Sequence, residues 1–227
     1  MFKGLTIASI IIILIVGFTQ LFLPAFAQKQ ALAILRSEAQ AENAQVVIEA
    51  IPSAKLLFGK MDTLSISAQN ALIGQIRVDN LDLQGKNVQV NMNDLLFSKK
   101  LRFDAAESLV LKGTIKEDAL VAALQKKVDK LKDVEVEITP EAVQIQGNVP
   151  LAGRKIEVSI EGTIRAQDGG IYFHMRKTSI HNAILGKAVL GSLFEDIMLA
   201  DLRTSPFQLE ATDVVQKNGE IDITLSR

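Results

Sequence analysis

From Val46 onward, apolar and polar residues alternate with a period of two, the mark of strands with one covered and one wet face. The alternation runs through Leu64-Ser65-Ile66, Ile76-Arg77-Val78, Val88-Gln89-Val90-Asn91-Met92 and Val134-Glu135-Val136-Glu137-Ile138. It returns in Val143-Gln144-Ile145, Ile156-Glu157-Val158-Ser159-Ile160, Ile171-Tyr172-Phe173-His174-Met175, Phe207-Gln208-Leu209 and Ile221-Asp222-Ile223-Thr224-Leu225. Parallel sheets are covered on both faces and read as continuous apolar runs, so this pattern predicts a large antiparallel sheet. It puts Val88, Val90, Ile156, Val158, Ile160, Ile171, Phe173 and Met175 on the covered face, and Tyr172, His174 and Arg176 in water. Thr139-Pro140-Glu141, Gly147-Asn148-Val149-Pro150, Asp168-Gly169-Gly170 and Asn218-Gly219 supply hairpin turns between strands.

Three segments break the period. Gln28 to about Ala44 is rich in Ala, Glu and Gln, with Leu32, Leu35 and Ala39 on one face, and reads as a modest amphipathic helix. Residues 115–132 make a second, with Thr114 and Glu117 spaced as a capping box, a stripe of Leu120, Leu124, Val128 and Leu131, acids at its start and lysines at its end. The third, Ile184 to Ala200, has only Lys187, Glu195 and Asp196 as charged residues, and eleven of its seventeen residues are apolar. So broad an apolar face needs a cover, either the hollow of a curved sheet or a lipid chain.

Before the first helix stands Lys3, then an almost unbroken apolar run from Leu5 to Phe18 and Leu21-Phe22-Leu23-Pro24-Ala25-Phe26-Ala27. Ala25 and Ala27 provide the small residues of a signal-peptidase site, which predicts cleavage before Gln28. The rival reading is an uncleaved anchor, since Gly4 to Phe26 exceeds the roughly 20 apolar residues a span requires. Either fate puts the rest of the chain outside the cytoplasm, in the periplasm or on the outer face of the cytoplasmic membrane. The organisation expected is therefore a signal or anchor over 1–27, a helix over 28–44 and a single α+β domain over 45–227.

The absence of cysteine removes lipid attachment through a thiol, disulfides, thiolate metal sites and cysteine nucleophiles. Without its leader the chain carries 24 basic and 26 acidic residues, no electrostatic footprint for nucleic acid. His174 and His181 read as surface residues, and neither a Gly-x-Ser-x-Gly elbow, a phosphate loop nor a metal motif occurs, so no cofactor or metal is expected. Glu117-Asp118 and Glu195-Asp196 suit a helix start and a helix edge, and Asp79 and Asp82 suit a bulge in an edge strand. With one Tyr and no Trp, a sugar-cleaving carboxylate pair lacks its stacking partners.

Two aliphatic triplets fall outside the strand pattern. Leu56-Leu57-Phe58 lies between Pro52 and Gly59, and Leu95-Leu96-Phe97 precedes Ser98-Lys99-Lys100-Leu101-Arg102. Each is either a helical turn that plugs the core or, with Lys99, Lys100 and Arg102 beside it, a docking element for a membrane surface.

The stretch Ile51 to Ile66 resembles the opening of the LmeA-like phospholipid-binding family, with Leu56-Leu57-Phe58-Gly59 turning into a strand. Similar too are Gly74 to Leu83, Val88 to the Asp94-Leu95-Leu96 turn, and the acid-led Lys116-Glu117-Asp118-Ala119-Leu120, so that the likeness spans about residues 45–227. The resemblance implies a non-enzymatic, extracytoplasmic protein that binds phospholipid or another acyl lipid. It also implies a long curved sheet wrapped around two or three helices, as in tubular lipid-binding domains, and it brings no catalytic residues. Combined with the over-apolar third segment, it marks Leu57, Phe58, Ile184, Leu185, Val189, Leu193, Phe194 and Met198 as candidate groove walls. Two other functions fit the same residues: an envelope scaffold with a filled core that pairs with another envelope protein, and a hydrolase built on an unrecognised carboxylate site.

N-terminal sequencing of protein from the envelope fraction should return Gln28 as the first residue. An intact Met1 on membrane-bound material would mean an anchor.

Overall fold

The computed structural model describes the chain except for residues 1–19, 21, 38, 74–75, 99–101, 129–130, 152–153, 182–195 and 202–208. The alternating segments assemble into two antiparallel sheets, where a single one was expected. In the larger, β1 (Glu42–Glu49), β2 (Lys60–Ile73), β3 (Ile76–Val90), β5 (Ser108–Lys116), β12 (Glu220–Ser226) and β11 (Glu210–Lys217) lie side by side in that order. The short β4 (Phe103–Ala105) pairs with the end of β3. The smaller sheet runs β10 (Ile197–Asp201), β9 (Gly170–His181), β8 (Arg154–Gln167), β7 (Val143–Leu151) and β6 (Lys132–Ile138). Their inward residues form one continuous aliphatic core, from Leu83, Leu109 and Leu111 on one side to Ile145, Ile160 and Phe173 on the other. The arrangement is α+β, with the larger sheet curled into a half-barrel.

The curl has a local cause. Along β2 the buried residues step from Met61 to Leu64 and from Ala68 to Ala71, and along β3 from Val78 to Leu81 and from Gly85 to Val88. These three-residue steps move the buried set across the strand, and they occur at matching levels: Asp62 and Asn87 fall between the pairs Met61–Val88 and Thr63–Lys86, Asn70 and Asp79 between Gln69–Asn80 and Ala71–Val78. At each level an asparagine takes the left-handed backbone, Asn87 at φ 47° and Asn70 at φ 52°. Because both strands slip together, register is kept while the sheet bends.

The helices differ from expectation in ways the backbone explains. The first, α1, occupies residues 22–37 instead of 28–44, so the Ala27–Gln28 bond lies within it. It ends where the amides of Ala39 and Ala41 both donate to the Leu35 carbonyl and Gln40 turns left-handed at φ 50°; the chain is already in β1 by Glu42. Leu35 is buried, and Ala27, Ala31, Leu32 and Ala39 pack against the core. The second, α2 (Glu117–Lys127), starts later than expected and has no capping box. Thr114 belongs to β5, where its hydroxyl donates to Asp222 Oδ1 at 2.9 Å, and Glu117 Oε1 accepts the Ile138 amide at 2.9 Å. Acids do open α2 and lysines close it, with Leu120 and Leu124 buried. The third segment is corrected at its end: Ile197 to Ala200 is strand β10, paired with β9 and bulged between Met198 and Ala200. Asp79 and Asp82 lie in β3, an interior strand and not an edge.

The sheets are joined at a seam of side-chain-to-backbone bonds. Gln216 of β11 accepts the Ile164 amide at 2.7 Å and donates to the Thr139 carbonyl at 3.2 Å, while Ile138 offers its carbonyl to the Gly219 amide at 2.9 Å. In the smaller sheet Phe173 is fully buried, and a Cβ on Gly162 would stand 2.6 Å from its ring, so this position accepts only glycine.

Two sets of variants test this packing by thermal melting. Phe173→Lys should lose at least about 4 kcal/mol, a fall of roughly 8 °C or more, whereas His174→Lys, one residue away on the wet face and beside Asp196, should change melting little. Gln216→Leu should lose about 1–3 kcal/mol, because two backbone groups at the seam are left without partners.

Candidate functional site

At one end of the larger sheet the chain makes two short turns. Ser53–Phe58 is a 3-10 turn between β1 and β2, and Asp94–Ser98 a single wide helical turn between β3 and β4. The first is held from several sides. Lys55 Nζ meets Asp62 Oδ1 at 2.6 Å, Asp62 Oδ2 accepts the Ile51 amide at 2.6 Å, and Leu56 packs on the core. Gly59 closes the turn in the left-handed region at φ 70°, where a Cβ would come within 2.4 Å of the Val90 carbonyl oxygen. Ser53 is buried, and Gln20 Oε1 accepts from its hydroxyl at 2.6 Å and from its amide at 3.2 Å.

What this scaffold presents is apolar. Leu57 and Phe58 are exposed, Phe58 to 69% and neighbouring Ile51 to 79%, and Phe97 on the second turn is exposed to 84%. Leu57 and Phe58 therefore do not wall an interior groove. They rim a shallow cavity of about 460 Å³ whose other lining includes Gln89, Asn91, Asn93 and Asp104. Of the basic cluster, Arg102 is tied to Asp94 at 3.0 Å and Asp104 at 3.4 Å; Lys99 and Lys100 lie outside the described residues, as do the side chains of Leu95 and Leu96.

The other candidate groove residues centre on the connection from β9 to β10. Ile184, Leu185, Val189, Leu193 and Phe194 lie outside the described residues; the chain enters this stretch at His181 and returns at Ile197, opposite Phe173. Met198 is half-buried in β10 opposite Tyr172. It shares the outer face with Tyr172, while on the core face of this edge Met175 and Ile197 are half-buried, against the full burial of Ile171, Phe173 and Leu199. His174 is half-buried, not fully wet, with Nδ1 2.9 Å from Asp196 Oδ2 and Nε2 2.9 Å from Gln167 Oε1.

A hollow of about 920 Å³ crosses the solvent face of the larger sheet, reaching from Asn43 and Gln45 on β1 to Asp213 and Val215 on β11. Its floor carries Gln69, Asn80, Asp82, Lys112, Thr114 and Asp222, polar groups unsuited to an acyl chain. Lys217 Nζ, 2.5 Å away, together with the Thr114 hydroxyl holds the Asp222 carboxyl below its usual range, and Asp222 in turn raises the Lys217 ammonium. Sequence reasoning missed this hollow and also Ile51; both follow from strand order and the direction of a turn, which no local spacing encodes. Among the described residues no helix is long and apolar enough to cross a membrane, and no group of three or more His, Asp or Glu could hold a metal ion.

A family model described as LmeA-like phospholipid-binding matches residues 18–226. No curated protein and no solved structure matches the chain.

The ion pair under the first turn makes the turn sensitive to acid. The hydrogen bond from Lys55, and after it the Ile51 amide, holds the native Asp62 carboxyl below its ordinary value, so protons bind the unfolded chain more readily. This contribution is fully present above the ordinary carboxylate range of about 4 and is lost as pH falls through the lower native value. The melting difference between the parent and Asp62→Asn should be constant near neutrality and shrink in strong acid; a difference that grows in acid would reverse the assignment.

Proposed function

The chain belongs to the LmeA-like phospholipid-binding family, and from that premise we propose that it is a non-enzymatic, extracytoplasmic protein of the cell envelope that binds or carries phospholipid. The observation that carries the reading is the extent of the match: residues 18–226 take in both sheets, α1 and α2. Export is supported by the apolar run of Leu5 to Phe18 and by the small residues Ala25 and Ala27.

The acyl chain is assigned to the β9–β10 edge of the smaller sheet, where Met175 and Ile197 pack half-buried on the core face and between whose strands the apolar stretch Ile184 to Phe194 lies in sequence. Burial of an acyl chain of roughly 16 carbons there would contribute on the order of 10 kcal/mol gross, before the cost of ordering chain and protein. Against this, the hollow on the wet face carries Asp82, Asp213, Asp222, Gln69 and Asn80, which a hydrocarbon laid over them would strip of water.

Gently purified protein should yield phospholipid at near one equivalent by native mass spectrometry. Leu193→Ser and Phe194→Ser should weaken binding of a fluorescent phospholipid more than they lower the melting temperature, because a wall loses ligand burial first. If these residues are core, the order reverses, with losses of roughly 2–5 kcal/mol in stability. Failure of the parent protein to bind lipid at all would favour the scaffold that pairs with an envelope protein.

A further inference from the structure

Large apolar side chains are rarely held out into water by a rigid support, and here four of them share one end of the larger sheet. We propose that Ile51, Leu57, Phe58 and Phe97 form a bilayer-contact rim, inserting together into the interface of a phospholipid membrane.

The register puts them at the same end. The 3-10 turn joins Glu49 to Lys60, Lys60 pairs with Gln89, and the second turn leaves from the end of β3 and returns to it through the Val90–Phe103 pair. The Val90 amide donates to the Gly59 carbonyl at 2.9 Å, so the bases of the two turns are bonded directly. Neither turn is slack. Leu56 and Ser53 anchor the first from beneath, Asp62 ties both Lys55 and the Ile51 amide, and Arg102 links Asp94 on the second to Asp104 on β4. A braced turn loses little entropy on docking, which favours insertion over self-burial.

The partner is indicated by where the chain comes from. Gln20 is bonded to Ser53 inside this same rim, and the fourteen residues Leu5 to Phe18, apolar almost throughout, precede it in sequence. Gln20, two residues after that apolar run in sequence, is thus bonded at the end that carries the bare aromatics, while the rim residues themselves remain whether or not a leader is removed. Two of the cations at this end, Lys55 and Arg102, are already neutralised by Asp62, Asp94 and Asp104, so contact with the hydrocarbon boundary leads, and Lys60, exposed at the foot of the first turn, faces the headgroups. Docking of this kind depends weakly on salt and tolerates zwitterionic lipid.

The inference rests on the lipid-binding reading only for its choice of partner, and its test is independent of the acyl-chain site. The chain has no cysteine, so Leu57→Cys, Phe97→Cys and Asn218→Cys, the last in the β11–β12 turn at the opposite end, each give one labelling position. The full-length variants carry an environment-sensitive dye and are reconstituted with phosphatidylcholine vesicles. Dyes at 57 and 97 should shift to the blue, be quenched several-fold more than the dye at 218 by doxyl groups on the acyl chains, and be shielded from aqueous iodide at both 50 and 500 mM salt. Free access of iodide to 57 and 97 would overturn the proposal. So would the same blue shift without vesicles, rising with protein concentration, because the rim would then be an interface between two copies of the chain. Neither result alters the loss of fluorescent-phospholipid binding expected of Leu193→Ser and Phe194→Ser, which reports on the acyl-chain site.

Discussion

Each sheet of this protein has one aliphatic face, and the two faces leave water by closing on one core together with the apolar sides of α1 and α2. The rest of the structure depends on that closure, and the closure depends on a few polar atoms at its margin. Where the sheets approach without forming a common ladder, backbone groups would be stranded; Gln216 reaches across to Ile164 and Thr139, Glu117 to Ile138, and Gly219 to the Ile138 carbonyl. An amide without a partner there would cost as much as a methyl cavity in the core, so the margin is as constrained as the centre.

Polarity is divided with unusual consistency. Between the sheets almost everything is Leu, Ile, Val or Ala, with Phe103 and Phe173 as large fillers. The outer hollow mixes amide, hydroxyl, carboxylate and ammonium groups with Leu81, Val215 and Ile223, and Asp222 on its wall is neutralised by Lys217. The carboxylates of Asp82, Asp213 and Asp222 disfavour hydrocarbon in the broad concavity that shape alone would nominate.

Much of the strand pattern was legible because period-two alternation survives wherever one face is wet, as in Ile156 to Ile160 and Ile221 to Leu225. It failed for identifiable reasons. In β5 the third inward position is Gly113, which carries no hydrophobic signal because a Cβ would lie 2.6 Å from Val78 Cγ1. β11 is bulged after Ala211, and β10 reads Ile-Met-Leu-Ala without alternation, so it imitates a helix. Thr114 and Glu117 have capping-box spacing but are spent on Asp222 and Ile138, long-range partners invisible to local sequence. For the candidate site, the two aliphatic triplets stood out from the strand pattern, but the outward turn of Leu57 and Phe58 was decided by Leu56 and Asp62 from below. The family likeness read from Ile51 to Leu120 agrees with the match over residues 18–226.

The matched slips in β2 and β3 carry a consequence for descent. Inserting or deleting one residue between Asp62 and Asn70 would turn the inward set of β2 outward, and a compensating change would have to arise between Asp79 and Asn87 of the neighbouring strand. Length changes in this hairpin are viable only as coupled events, whereas those in its tip are free. Lineages of this fold should therefore diverge in side chains and in loop tips long before they diverge in the spacing of these two strands, and that spacing is a longer-lived record of common ancestry than residue identity.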